Sequence, residues 1–131
     1  MTQSEPVLMR WDDEYDRHEV ESSDETVLAE RLAELDGVRR TLVIIYRAEG
    51  HMACGGSAER GLVLYGTFDN EVFYQLADPT VTSDRQVTVV AGGQPGDYGE
   101  RFVAGIELVG DAMRRFLITG TLHPGLTWVR Q

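Results

Sequence analysis

The stretch Thr41-Leu42-Val43-Ile44-Ile45-Tyr46 constrains the fold of this chain more than any other. Six consecutive β-branched, aliphatic or aromatic residues favour extended backbone, and a run without polar interruption reads as a strand buried on both faces. Such a strand needs partners, and candidates follow at 51–54, 61–67, 72–76 and 86–91. Between them lie Glu49-Gly50, Asp69-Asn70 and Asp78-Pro79, residue types that suit turns. Short strands this closely spaced predict an antiparallel meander.

The flanking segments follow a different period. Ser22-Ser23-Asp24-Glu25 matches a capping box, whose hydroxyl and carboxylate satisfy free backbone donors at a helix start. Val27, Leu28, Leu32 and Leu35 then recur at helical spacing, and Gly37 supplies a stop. Ahead of this helix, 7–11 is a short apolar strand, and 12–21 reads as an acidic connector whose only large apolar groups are Tyr15 and Val20.

Downstream, Gln94-Pro95-Gly96-Asp97 places Pro and Gly where a type II turn wants them. Residues 101–106 form a return strand or an extended lead-in. A second helix begins near Glu107, with a stripe of Leu108, Val109, Ala112, Met113, Phe116 and Leu117. Arg114 and Arg115 take its wet side, Gly120 ends it, and Trp128 sits on a last edge strand. The order β-α-β(meander)-α-β predicts one α+β domain over 1–131, with two helices and a mostly antiparallel sheet of six or seven strands. Residues 1–6 are expected to be loose.

At 131 residues, 42% of them apolar, the chain can bury roughly 65–70% of its unfolded surface in one core. No apolar run approaches the ~20 residues that span a bilayer, and the first residues have neither the basic start nor the apolar stretch of a signal peptide. A cytoplasmic location is expected. The single cysteine, Cys54, fits a reducing compartment. It reads as a small, semi-buried residue beside Gly55 and Gly56. His51 lies three positions away, which in a strand is the opposite face.

Charge is unevenly spread. The formal net charge is −10, and residues 1–36 hold 12 acids against Arg10, Arg17 and Arg31, a net of −9. The other 95 residues hold ten acids and nine arginines. A field of that shape repels nucleic acid and anionic membrane and attracts a basic partner; a solubilising face is the alternative.

Catalytic motifs are lacking. His18, His51 and His123 are scattered, and no zinc-ligand spacing is present. Gly93-x-x-Gly96-x-x-Gly99 has no following Lys-Ser/Thr, and Asp97 and Glu100 would repel phosphate, so it reads as a glycine-rich hairpin. Carboxylates such as Asp12-Asp13-Glu14 have no apolar surround to raise a pKa. The expectation is a binding protein: no enzyme, no cofactor, no metal, and a monomer when free.

One stretch carries a resemblance. Val87-Thr88-Val89-Val90-Ala91-Gly92-Gly93-Gln94-Pro95-Gly96-Asp97-Tyr98 is followed by a helix opening at Glu107 and running through Ala112 and Phe116 to Thr119-Gly120. The chain then closes with Leu122-His123-Pro124 and Leu126-x-Trp128. This resembles the immunity protein family Imm-one of bacterial polymorphic toxin systems, in its actinobacterial form. Leu64-Tyr65-Gly66 is similar to a segment of its hairpins. Ala104-Gly105-Ile106-Glu107 keeps the family's acid at the start of the last helix and lacks its proline.

The resemblance implies an antidote that binds a cognate toxin domain, often a nucleic-acid deaminase or nuclease, and blocks its active site or substrate path. An acidic cluster suits the basic groove of such a toxin. The expected partner surface comprises Asp12, Asp13, Glu14, Asp16 and Asp97, with Tyr98 beside them. Tyr15, Phe68 and Tyr74 are further candidate aromatic anchors. Gly92, Gly93, Phe116 and Trp128 are expected to hold the fold. The alternatives are an acidic module that imitates DNA charge and a small ligand-binding domain.

Overall fold

In the computed structural model, residues 6–14 and 16–131 are described. Nine strands form: β1 (Leu8–Asp13), β2 (Asp16–Glu21), β3 (Leu42–Arg47), β4 (Gly50–Ser57), β5 (Gly61–Thr67), β6 (Phe73–Ala77), β7 (Gln86–Ala91), β8 (Gln94–Gly99) and β9 (Thr127–Arg130). With α1 (Glu25–Ala33) and α2 (Ile106–Thr119) they make an α+β fold, as expected. Seven strands build one antiparallel sheet in the order β2-β1-β3-β4-β5-β6-β9, and β7 and β8 pair only with each other.

Alternation along the strands divides the sheet into two faces. Met9, Val43, Ile45, Met52, Cys54, Leu62, Leu64 and Leu76 point to one side and are buried. There they meet Leu28 and Leu32 of α1 and Val109, Ala112, Met113, Phe116 and Leu117 of α2. This is the core. Burial is complete at Cys54 and pushes its thiol pKa far up, so the sulfur behaves as a small apolar group.

The other face carries Arg10, Leu42, Ile44, Tyr46, His51, Ala53, Val63, Tyr65, Phe73 and Gln75. The β7–β8 hairpin covers only part of it. A side chain at Gly55 would occupy the place of the Ala91 methyl, so glycine is what lets the hairpin lie directly on β4. Ala53 and Val63 are buried beside it, whereas Leu42, Ile44 and Tyr46 are half-buried. The expectation of a strand buried on both faces therefore holds for the core side of β3 alone.

Several boundaries differ from expectation. The acidic connector 12–21 is in fact the end of β1 and the whole of β2, joined where Glu14 takes a left-handed φ of 58°. Every residue of β2 is exposed, so no apolar alternation betrays it; backbone pairing to β1 makes it a strand. Its charged side chains suit an unprotected sheet edge. The segment 86–91 forms a strand but leaves the meander, which comprises β3 to β6. The turn expected at Gln94-Pro95-Gly96-Asp97 is displaced to Gly92-Gly93, with φ of 61° and 78°. Two glycines at positive φ make the two-residue hairpin that matches strand twist, and Pro95 then sits in β8.

The helix starts at Glu25 with Asp24 as N-cap, accepting from the Thr26 N–H at 2.8 Å, while Ser22 Oγ accepts from the Asp24 N–H. Leu35 lies beyond its end yet is buried. In place of a return strand, 101–106 starts within a 3-10 turn (Glu100–Phe102) and makes a bridge from Ala104 to Leu62. Gly120, at φ 73°, ends α2, and Arg47 Nη1 donates to the Leu117 carbonyl at 2.7 Å, a cation on the negative end of the helix. Trp128 pairs opposite Leu76, packs against the core and donates from Nε1 to the His123 carbonyl. Residues 1–5 lie outside the described residues, and Pro6 is exposed.

Candidate partner-binding face

The N-terminal acids do not behave as one patch. Asp12, on the outer face of β1, is turned toward the start of β3. One of its carboxylate oxygens accepts from the N–H groups of Thr41 (2.7 Å) and Leu42 (2.9 Å), and the other accepts from Thr41 Oγ1 at 2.6 Å. Thr41 is buried. Its hydroxyl oxygen also accepts from the Gly93 N–H at 2.9 Å, and its carbonyl accepts from the N–H groups of Gly56 and Gly92. Asp12 thus ties β1, β3 and the turn of the β7–β8 hairpin into one knot, and its charge is spent on the fold.

Asp13 is paired as well. Its two oxygens meet Arg39 at 3.3 Å and Arg40 at 3.5 Å. Arg40 also reaches Glu34 at 2.8 Å, Glu34 reaches Arg31 at 2.8 Å, and Arg39 reaches Glu14 at 3.6 Å. The chain of alternating charges Arg31–Glu34–Arg40–Asp13–Arg39–Glu14 brings two arginines from outside the acidic segment onto it. Asp36 fixes the turn that delivers them, accepting from the N–H groups of Val38, Arg39 and Arg40. Those donors hold its pKa below the usual carboxylate value, the Val38 and Arg40 bonds foremost.

Glu14 and Asp16 remain exposed. With Asp12 they line an open cleft of about 460 Å³ between the β1–β2 corner and the hairpin turn, whose wall is Gly92, Gly93 and Gln94. Arg10 and Arg17 also border it. Arg10 is held in a two-bond pair with Glu19, 2.7 Å and 3.1 Å. Asp97 is exposed at mid-hairpin, where its carboxylate accepts from Thr88 Oγ1 at 2.8 Å. Neither Asp97 nor Tyr98 lines this cleft. Tyr98 is half-buried and lines a small cavity of about 50 Å³ beneath the hairpin with Val63, Tyr65, Gln75 and Ala91. Among the other aromatic candidates, Phe68 is 40% exposed and lies 6.3 Å from both Tyr74 and the buried Phe116. Tyr15 falls outside the described residues.

A feature not expected from the sequence lies on the part of the outer face that the hairpin leaves open. Tyr46 and His51 are direct cross-strand partners, with ring centroids 5.5 Å apart. His51 and Tyr65 are 5.9 Å apart, and Tyr65 and Phe73 are 5.7 Å apart, both edge to face. Four rings from four adjacent strands thus form one row, and the Arg10 guanidinium lies 5.1 Å from the Tyr46 centroid at its end. Burial lowers the His51 pKa, so its ring is neutral at neutral pH. It also raises that of Tyr65. Tyr46 and His51 flank one turn, and the rest of the row follows from the strand register, which turns Tyr65 toward His51 and Phe73 on the diagonals.

Among the described residues, no group of three or more His, Cys, Asp or Glu side chains is placed to hold a metal ion, and no helix is long and apolar enough to cross a membrane. Comparison of the chain with protein-family models, curated proteins and solved structures gives no match.

Proposed function

We propose that this protein is an immunity protein, acting in the cytoplasm by stoichiometric binding of a basic, nucleic-acid-acting toxin domain. The observation that carries this reading is the open cleft bordered by the exposed carboxylates of Glu14 and Asp16, on a chain of net charge −10. A groove that binds phosphates must be basic, and an acidic rim steers toward such a groove and away from nucleic acid itself. The sequence features of the β7–β8 hairpin and α2 support the same class through their resemblance to immunity proteins.

The acids that meet the toxin are Glu14 and Asp16, with Asp97 on the neighbouring hairpin; Asp12 and Asp13 serve the fold. The test uses a toxin domain encoded beside this gene. Replacing Glu14 by Gln and Asp16 by Asn is expected to slow association about tenfold at low salt. That difference should fade toward 1 M salt, where the screening length falls to about 3 Å. Equal association rates and salt slopes for the two proteins would remove the acidic rim from the interface. Absence of any complex with that domain would sink the immunity reading.

A further inference from the structure

We propose that the row Tyr46–His51–Tyr65–Phe73 is the seat for an arginine-bearing segment of the protein partner. This rests on the binding role proposed above and names the surface and the chemistry it recognises. A sheet face normally lies under a second layer. Here the helices cover one side and the hairpin part of the other, and the rings remain half-buried or exposed, Tyr65 at 38%.

Three observations select a guanidinium as the occupant. First, the row already holds one: Arg10 lies over Tyr46, kept there by Glu19. Tyr65 and Phe73 carry further rings along the row, set edge to face, and a neutral His51 adds no repulsion. Second, the turns at this end of the sheet are acidic. Exposed Glu49 lies between Tyr46 and His51 in the chain, and exposed Asp69 and Glu71 lie between Thr67 and Phe73. Asp69 Oδ1 already accepts from the N–H groups of Val72 and Glu71, which lower its pKa, so its other oxygen is the one least engaged by the turn. Third, a second copy of this chain would bring another net charge of −10 to the face. Arginine suits the site better than lysine because its planar, weakly hydrated cation can stack on a ring while its N–H groups reach a carboxylate.

Hexa-arginine and hexalysine peptides serve as probes, carrying equal charge with and without a stacking cation. Binding is followed by aromatic-ring NMR shifts and by titration calorimetry at physiological salt. Wild type is expected to bind hexa-arginine about two- to fivefold more tightly than hexalysine, with shifts at Tyr46, His51, Tyr65 and Phe73. Tyr65→Ala should bring the ratio close to one. Tyr65→Phe keeps the ring and should retain the preference, which separates stacking from loss of fold. Asp16→Asn should weaken both peptides alike.

Equal binding of the two peptides by wild type, or a preference that survives Tyr65→Ala, overturns the proposal. So do row resonances that shift with protein concentration alone, because a second copy would then be the occupant. The toxin kinetics on Glu14 and Asp16 are a separate measurement. A row indifferent to arginine together with salt-steered toxin binding rejects this seat and leaves the immunity reading standing.

Discussion

Asp12→Ala is expected to destabilise the protein by about 3–5 kcal/mol, because each buried donor left without a partner costs about 1–3 kcal/mol. The carboxylate accepts from two backbone N–H groups and one hydroxyl, all belonging to Thr41 and Leu42. A methyl at this position reaches none of them, and Thr41 is otherwise buried at 1% exposure. The damage should spread to the hairpin, since Thr41 also accepts from Gly92 and Gly93. The expected signature is a lower urea midpoint, together with faster hydrogen exchange at the Gly93 amide and in β7–β8. Asp12→Asn retains an acceptor and should lose roughly half as much. Thr41→Val removes the Gly93 link and should loosen the hairpin turn. If Asp12→Ala lowers stability by less than about 1 kcal/mol, the knot is not structural.

The second large effect is expected at Phe116. Its ring is fully buried between the sheet and α2, 6.3 Å from Phe68, and it is among the largest side chains of the core. Phe116→Ala removes that burial and leaves a cavity, costing about 3–5 kcal/mol, a large share of the roughly 5–15 kcal/mol that stabilises a domain. Two residues further on, Ile118 is 57% exposed, and Ile118→Ala should stay within about 0.5 kcal/mol. Denaturant midpoints for the two variants check the pair. Similar shifts would mean that the buried stripe of α2 is wrongly placed.

These two residues differ in how visible their roles are in the sequence. Phe116 belongs to a helical stripe, and periodicity alone places it inside. The same local signals locate β5, β7, the stop at Gly120 and the edge position of Trp128, because each depends on neighbours a few residues away. The α+β class follows from them. Strand β2 escapes this reading because its side chains are all exposed and only backbone pairing makes it a strand. The hairpin turn is displaced because both Gly92-Gly93 and Pro95-Gly96 suit turns, and the two-residue loop with paired positive φ wins once β7 and β8 align.

The surface is where tertiary structure decides most. Composition by itself determined that the chain is acidic and that its acids concentrate in residues 1–36. It could not determine which of them the fold engages, since that depends on Arg39 and Arg40 folding back onto Asp13 and on Thr41 capturing Asp12. The aromatic row is likewise a product of register: Tyr46, His51, Tyr65 and Phe73 are isolated rings in the sequence and neighbours across four strands in the fold. Local periodicity reports which way a side chain points relative to its own strand or helix. Which other side chain it meets is set by pairing between distant segments, and that is a property of the folded chain alone.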